Sequence, residues 1–453
     1  MLRRLRNLMV DMTAAFIRDR EARHAFRDKY KKKSDYRKLK DLYNQLVSEH
    51  DVLRSKQQSL SDENTRIKNE INQLRQRITV QETNNAFRNL SSVNNLSSPL
   101  FHFSAWGNSN AGDNLLVLAL KKSIEREIGH FDYVDRNVRT ALTGFDVGLI
   151  NKSKGVVIGG GGLFLKDTNA NDISGWQFPI SIKQIDEIEV PIFMLAVGYN
   201  RFRGQNDFEP VFKENINALV RKCRFVGIRN HGSINALREY LDDDIKDKLM
   251  FHPCATTILS KIYDMPEVGR QEPFVALNCA FDRSAMRYGT RQDEILNSTA
   301  RVMAELSKKI KIKYYINYGG DQAMLPYLDK NNVKYELVSL SGPAISTNDI
   351  LREYSAPSLV IGMRGHAQMM PFGCGTPILS IVSHNKMAWF LDDIEHTEWG
   401  VDVQDKDYEE KLLSAARAIL FDEKAVRKNI LEEQDRLYSV TWGNLKSIST
   451  YIK

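Results

Sequence analysis

The stretch VVIGGGGLF, from Val156 to Phe164, decides most of what can be predicted about the fold. Its apolar half is typical of a buried strand in a parallel sheet. The glycines behind it, Gly159 to Gly162, carry no side chains, so backbone N–H groups there can approach an anion closely. We expect a strand-to-loop turn whose following helix points its positive end at a bound anion. A tight turn with a purely structural role is the alternative.

A second glycine-containing turn follows the apolar segment SLVIGM much later in the chain. It opens the segment RGHAQMMPFGCGTPILSI, from Arg364 to Ile381. Ligands of parallel sheets bind beyond the carboxyl ends of the strands, and both turns lie at such ends. Two such turns in two halves of the chain predict a ligand held between two domains.

Short apolar segments alternate with segments of helical spacing, such as Asn114 to Ile128, on both sides of a proline-containing stretch near Met265. The predicted strands are LFHFSAW, GVVIGG, PIFMLAVG and RFVGIR in the first half, and FVALN, IKYYIN, VKYELV, SLVIGM and PILSIV in the second. The sequence therefore predicts an α/β protein with two Rossmann-like domains facing a cleft, over residues 99–264 and 265–453.

The composition fits two globular domains plus an extension, because the chain has 453 residues, of which 42% are hydrophobic and 27% charged. The apolar segment from Leu8 to Ile17 is interrupted by Asp11 and is much shorter than the ~20 residues of a membrane-spanning helix. The cysteines are widely separated and fit buried thiols in a reducing cytoplasm: Cys223, Cys254, Cys279 and Cys374. We expect a cytoplasmic protein with no signal peptide, membrane span or metal site.

The positive charge is concentrated at the N-terminus, where the first 40 residues contain fourteen Lys or Arg and five Asp or Glu. In a helix, one apolar stripe would contain Leu2, Leu5, Met9, Met12 and Phe16. Arginines flank this stripe, as in helices that lie on anionic lipid. We predict that residues 1–38 bind the inner face of the cytoplasmic membrane. Packing on a partner chain is the first alternative, and nucleic acid is not expected because RNA-binding aromatic motifs are missing.

Apolar residues recur every seven positions in the next segment, at Leu39, Leu46, Leu53, Leu60, Ile67 and Leu74. The positions four further on are mostly polar and include Asn64, which lowers stability but favours a defined register. We predict a parallel coiled-coil homodimer over residues 39–83, with a long helix docked on its own chain as the alternative. Residues 84–98, rich in Asn and Ser, are predicted to be a flexible linker.

Five motifs follow one another in the remaining chain: WGNSNAGDN (Trp106 to Asn114), GGGGLF (Gly159 to Phe164), GIRNHGSINAL (Gly227 to Leu237), HPCAT (His252 to Thr256) and RGHAQMMPFGCGTPILSIVSHNKMAWF (Arg364 to Phe390). In their order and spacing, the chain from about Phe101 to Asp393 resembles the polysaccharide pyruvyltransferase family. The resemblance implies a fold like that of GT-B glycosyltransferases. It also implies transfer of a pyruvyl group from phosphoenolpyruvate to a sugar diol, which forms a cyclic ketal and releases phosphate.

The same resemblance implies an acceptor glycan of capsule, exopolysaccharide, lipopolysaccharide or cell wall, either lipid-linked or polymeric, and no cofactor. It assigns the donor to Arg229, Arg364, Gly365, Gly160, Gly161 and Lys386, because a phosphate and a carboxylate need fixed positive charge. It assigns proton transfer to His366, whose imidazole titrates near neutral pH, with a structural hydrogen bond as the alternative. For Lys386 the alternative is an ordinary exposed lysine.

Three residues are expected to contact the acceptor sugar: Asn108, Asp113 and His384. Capping of the helix that follows the first strand is the alternative role for Asp113. Two other functions fit the same architecture. One is a glycosyltransferase that uses a nucleotide sugar, and the other is a non-catalytic scaffold of a polysaccharide assembly complex.

Overall fold

The computed structural model describes residues 14, 21–23, 25, 44–64, 66–67, 96–105, 110–269, 272–342 and 345–452. The chain divides into two compact units, Met1–Ser92 and Val93–Lys453. Most of the predicted membrane-binding segment (1–38) and of the predicted linker (84–98) lies outside the described residues. None of the described helices is both long enough and apolar enough to cross a membrane.

In the first unit, residues 44–64, 66 and 67 are helical, within the segment predicted to form a coiled coil. The heptad positions Leu53, Leu60 and Ile67 are 65%, 60% and 46% exposed. Exposed aliphatic side chains gain no free energy from apolar burial unless another surface covers them. Pairing with a second chain stays a prediction.

The second unit contains two six-stranded sheets in which all neighbouring strands are parallel. The first sheet has the order β2-β1-β3-β4-β5-β6 and contains β1 Pro99–Ser104, β2 Asp132–Asn137, β3 Gly155–Phe164, β4 Ile192–Tyr199, β5 Phe225–Ile228 and β6 Leu249–Phe251. The second has the order β12-β11-β10-β7-β8-β9 and contains β7 Phe274–Asn278, β8 Lys311–Ile316, β9 Glu336–Ser339, β10 Leu359–Gly362, β11 Ile378–Val382 and β12 Gly400–Asp402.

Helices connect the strands and continue to the C-terminus. They are α1 Ala111–Glu127, α2 Gly144–Ile150, α3 Ile182–Glu187, α4 Pro210–Lys222, α5 His231–Arg238, α6 Leu259–Ile262, α7 Ser284–Tyr288, α8 Gln292–Leu306, α9 Leu325–Lys330, α10 Thr347–Ser355, α11 His366–Gly373, α12 Asn385–Asp393, α13 Tyr408–Phe421 and α14 Glu423–Ser449. Several begin at the side-chain caps that their sequences favour, such as Thr143 with Asp146 at α2 and Ser346 with Asp349 at α10.

The strand orders explain where a ligand is expected. The second sheet follows the Rossmann order 3-2-1-4-5-6 when β7 is counted as its first strand, and the first sheet begins with the flavodoxin-like order 2-1-3-4-5. The strand order therefore reverses between β1 and β3 in one sheet and between β7 and β10 in the other. Crevices at such points are the usual ligand sites of parallel sheets. The prediction of two Rossmann-like domains facing a cleft is confirmed.

The predicted strands are all present, and the helix α1 lies where helical spacing placed it. Three strands, β2, β6 and β12, were not predicted. All three lie at sheet edges, and β2 is mostly polar and only partly buried, so it lacks the apolar run that marks a central strand.

The glycine run differs from the prediction in its surroundings. Gly159 to Gly162 lie inside β3, which continues to Phe164, and the next helix begins only at Ile182. The prediction that a helix directly behind this run points at an anion is therefore wrong. Close packing explains the glycines instead, because a Cβ at Gly159 would overlap the carbonyl oxygen of Leu195 on the neighbouring strand.

Candidate functional site

A cavity of about 330 Å³ lies where the carboxyl ends of the two sheets meet. Its charged or titratable lining residues are Asp113, Arg139, Arg229, Asp282, Arg283, Arg287, Arg364, His366 and Lys386. Cations outnumber carboxylates in this lining, and a cavity with low-dielectric walls strengthens the field of its charges. The composition of the cavity favours an anionic ligand.

Arg229 is placed by β5, which ends one residue before it. Its guanidinium packs on Gly198, where a Cβ would overlap it. The residue is only 6% exposed, yet neither Nε nor Nη2 has a hydrogen-bond partner among the described residues. Burial lowers the pKa of this guanidinium, which stays protonated because an arginine pKa starts above 12. A buried cation with unused donors at a cavity wall is a ready anion site.

Arg364 follows β10, and all three of its guanidinium nitrogens are engaged. Nε and Nη2 donate to Asp321 at 2.9 and 2.5 Å, and Nη1 donates to Asp282 at 2.8 Å. Burial alone would lower the pKa of Arg364, but the two carboxylates raise it. Asp321 is fully buried and also accepts from the backbone N–H groups of Asn317 and Tyr318. Arg364 is thus a fixed charge beside the cavity, and its fork is occupied by protein carboxylates.

His366 is the first residue of α11 and lies against the start of α1. Its ring occupies the space that a Cβ at Gly112 would fill, and its Nδ1 lies 3.7 Å from Oδ1 of Asp113. Nε2 is buried and has no partner among the described residues. Burial lowers the pKa of His366 to about 4, which Asp113 opposes and Arg229 reinforces. The imidazole is therefore neutral at neutral pH and can accept a proton.

Lys386 stands in the first turn of α12 and lines the same cavity. Burial, reinforced by the nearby Arg287 and Arg229 and opposed by Asp282 and Asp113, lowers the pKa of its amine to about 7. A lysine that titrates near neutral pH differs from the ordinary exposed lysine that was the alternative prediction.

The remaining predicted donor and acceptor residues occupy varied positions. Gly161 and Gly365 line the cavity, whereas the space for a side chain at Gly160 is closed by Leu116. Asp113 lines the cavity from the first turn of α1. The cap of that helix is Asn110, whose side chain accepts from the N–H of Gly112 at 2.9 Å.

His384 caps α12 and has no place in the cavity lining. Its Nδ1 accepts from the N–H of Lys386 at 3.1 Å, so the other ring nitrogen carries the proton and donates to the carbonyl of Asn200 at 3.3 Å. The ring also packs edge-on against Phe202. These contacts use both nitrogens for structure. Asn108, the third predicted acceptor residue, lies outside the described residues.

Several cavity residues were missed from the sequence: Arg139, Thr168, Gln177, Asn200, Asp282, Arg283, Arg287, Asn317 and Tyr318. Asn200 directly follows β4, and Asn317 directly follows β8. The rule that ligands bind beyond the carboxyl ends of strands was therefore a usable signal for both. Among the described residues, no group of three or more His, Cys, Asp or Glu side chains is placed to hold a metal ion.

A family model described as polysaccharide pyruvyl transferase matches residues 110–385, more than half of the chain. No curated relative matches the sequence. Similar solved structures include HepE from Anabaena in complex with UDP and glucose, with 9% identity, 78% of this chain and 100% of that chain covered, and a TM-score of 0.47. A putative UDP-N-acetylglucosamine 2-epimerase from Listeria monocytogenes has 13% identity, coverage of 73% and 90%, and a TM-score of 0.46.

Proposed function

Because the chain belongs to the polysaccharide pyruvyl transferase family, we propose that it transfers the pyruvyl group of phosphoenolpyruvate to two hydroxyls of one sugar. The sugar belongs to a bacterial surface polysaccharide or to its lipid-linked precursor. The products are a cyclic pyruvate ketal and inorganic phosphate. The observation that carries the proposal is the buried, unpartnered guanidinium of Arg229 beside His366 in a cationic cavity.

The donor carries a phosphate and a carboxylate, which the free cations of the cavity can bind. Arg229 offers Nε and Nη2, and Lys386 adds a second positive charge when protonated. The N-terminus of α11, which begins at His366, adds the partial positive charge of a helix end. Arg364 adds its positive charge to the cavity wall without donating to the ligand, because ion pairs with Asp321 and Asp282 hold its guanidinium in place.

His366 moves the proton that the first addition step requires. As one sugar hydroxyl attacks C2 of the enol, its proton passes to Nε2 of His366 and from there to the methylene carbon, which becomes a methyl group. The second hydroxyl then displaces phosphate from C2, and its proton leaves with the phosphate. A bound phosphate adds negative charge next to the ring and raises the pKa of His366, which makes it a better base in the complex.

We also propose that the reaction takes place at the inner face of the cytoplasmic membrane. The apolar stripe and flanking arginines of residues 1–38 support lipid binding, and the exposed heptad leucines Leu53 and Leu60 support pairing of two chains. Anchored pairs of enzymes would then meet lipid-linked glycans at the surface where these are made.

The deciding experiment compares wild-type protein with the His366→Gln variant. Phosphoenolpyruvate binding is measured by calorimetry, and turnover is measured as phosphate release in the presence of the glycan-lipid extract of the source cells. We expect the variant to bind the donor normally and to lose about 10²–10⁴-fold in turnover, the usual contribution of a positioned acid or base. Wild-type protein that binds a nucleotide sugar but neither binds nor consumes phosphoenolpyruvate would instead be a glycosyltransferase.

A further inference from the structure

Another guanidinium, that of Arg139, lines the cavity at a distance from Arg229. Arg139 follows β2, whereas Arg229 follows β5, and the order β2-β1-β3-β4-β5 separates these strands by four steps. At about 4.8 Å per step, the strand ends lie roughly 19 Å apart. A three-carbon donor bound at Arg229 does not fill that length.

The Arg139 side chain is held in place by neighbours that are themselves fixed. Its Nε donates to Oε1 of Gln177 at 3.1 Å, and the buried amide of Gln177 donates to the carbonyl of Gly162 at 2.9 Å. The side-chain amide of Asn169 donates to the backbone carbonyls of both Arg139 and Gln177, each at 3.0 Å. No described residue accepts a hydrogen bond from either terminal nitrogen of Arg139, so the fork is positioned but unused.

Neutral hydrogen-bonding groups also line the cavity. Oδ1 of Asn200 is buried and has no partner among the described residues, and the Thr168 hydroxyl accepts from Arg283. Side-chain amides and hydroxyls are the groups that recognise sugar hydroxyls. The N–H of Asn200 donates to the carbonyl of Phe164 at 2.9 Å, and its side chain packs on Gly162.

His366 lies between the two cationic ends. Its ring contacts Gly112 and Asp113 of α1, and α1 follows β1, which lies between β2 and β3 in the sheet. A sugar bound at Arg139 would therefore present hydroxyls to His366 from the side opposite Arg229, whereas Asn200, which directly follows β4, lies between His366 and Arg229 in the strand order.

We propose that Arg139, positioned by Gln177, forms an acceptor subsite that binds a saccharide carrying its own acidic group. This inference rests on the proposed pyruvyl transfer. A neutral sugar would be served by amides and hydroxyls alone, whereas a free guanidinium fork matches a carboxylate or a phosphate ester in two parallel hydrogen bonds. The acidic group is the carboxylate of a uronic acid or the phosphate of a sugar phosphate. Lipid-linked precursors belong to the sugar phosphates.

The test uses the full-length protein and its Arg139→Gln and Arg352→Gln variants. Arg352 is 55% exposed on α10, so its substitution controls for the loss of one positive charge. Calorimetry at low salt measures phosphoenolpyruvate binding first. Glucose 1-phosphate, methyl glucuronide and methyl glucoside are then titrated with phosphoenolpyruvate present.

We expect wild-type protein and the Arg352→Gln variant to bind one of the charged saccharides at least tenfold more tightly than methyl glucoside. Arg139→Gln should lose that preference and keep its affinity for phosphoenolpyruvate. Preference for the phosphate or for the glucuronide tells which acidic group is bound. Equal binding, or no binding, of all three saccharides by wild-type protein overturns the proposal. So does an Arg139→Gln variant that loses donor affinity, whereas failure of wild-type protein to bind phosphoenolpyruvate overturns the proposed function itself.

Discussion

Arg229 and Arg364 occupy equivalent places in the sequence, each just beyond a strand, but their surroundings give them different properties. Every guanidinium nitrogen of Arg364 donates a hydrogen bond to Asp321 or Asp282, whereas two guanidinium nitrogens of Arg229 have no partner among the described residues. Removing one partner of a buried ion pair is strongly destabilising, and a buried charge without a partner is itself a cost to stability. Arg364 therefore supports the structure of the site, whereas Arg229 keeps its donors for a ligand.

This difference predicts that Arg229→Gln will separate stability from binding. The substitution removes a buried, incompletely paired charge, so the melting temperature should stay the same or rise. Phosphoenolpyruvate should bind roughly 10- to 100-fold more weakly, because hydrogen bonds to charged groups contribute about 1.5–3 kcal/mol. Thermal melts and calorimetry measure the two effects. A variant with normal donor affinity and a much lower melting temperature would show that Arg229 is structural.

Lys386 predicts how donor binding depends on pH. Its pKa of about 7 means that the amine is charged below neutral pH and loses its proton above it. The charged form attracts the donor, so affinity should fall as pH rises from 7 to 9, by up to about tenfold per unit. The donor phosphate has a second pKa of about 6 and keeps its charge over this range. Calorimetric titrations at several pH values should show the slope in wild-type protein and a flat profile in Lys386→Met.

At the scale of elements, the contact between α1 and α11 predicts the effect of a single methyl group. A Cβ at Gly112 would overlap the His366 ring, so Gly112→Ala should displace the imidazole and lower turnover at least tenfold. Gly148 is the matched control, because it lies in α2 with open space at its Cβ position and alanine favours helices. Circular dichroism should show both variants folded. Normal turnover by Gly112→Ala would mean that His366 need not hold its position.

The central strands could be predicted from sequence because a strand buried on both faces must be apolar at nearly every position. Every residue of β4 and β11 is buried, for example. The edge strands β2, β6 and β12 are short or polar, since an edge has fewer neighbours to satisfy. Their apolar pattern was too weak to mark them, although they complete both sheets.

The candidate site was predictable only in part. Arg229, Arg364, His366 and Lys386 stand directly beyond strands or at helix starts, where position alone indicates a ligand site. Asp321, which engages Arg364, lies in a short three-ten helix after β8 and carries no local pattern that links it to a residue 43 positions away. Such partners are set by tertiary packing, which spacing along the chain does not record.

At the scale of the second unit, the two halves are joined by polar contacts around the cavity. Arg203 binds Asp402 through both terminal nitrogens at 3.0 and 2.7 Å, and Arg283 binds Asp167 at 2.6 Å. The last helix, α14, also returns to the first half, where Tyr438 donates to Glu127. Groups from both halves must meet for the cavity to form, so these bridges fix the relative positions of Arg229 and His366.

For the whole molecule, the heptad pattern predicts a dimer. Leu53 and Leu60 are exposed in the single chain, and a parallel partner would cover both in one seam. Leu53→Asp combined with Leu60→Asp should give monomers, because paired carboxylates would face each other in an apolar interface. Ser55 and Ser59 lie on exposed positions outside the seam, so the double substitution of these serines by Asp is the matched control and should stay dimeric. Sedimentation velocity at micromolar concentration measures the mass, and a monomeric wild-type protein would refute the coiled coil.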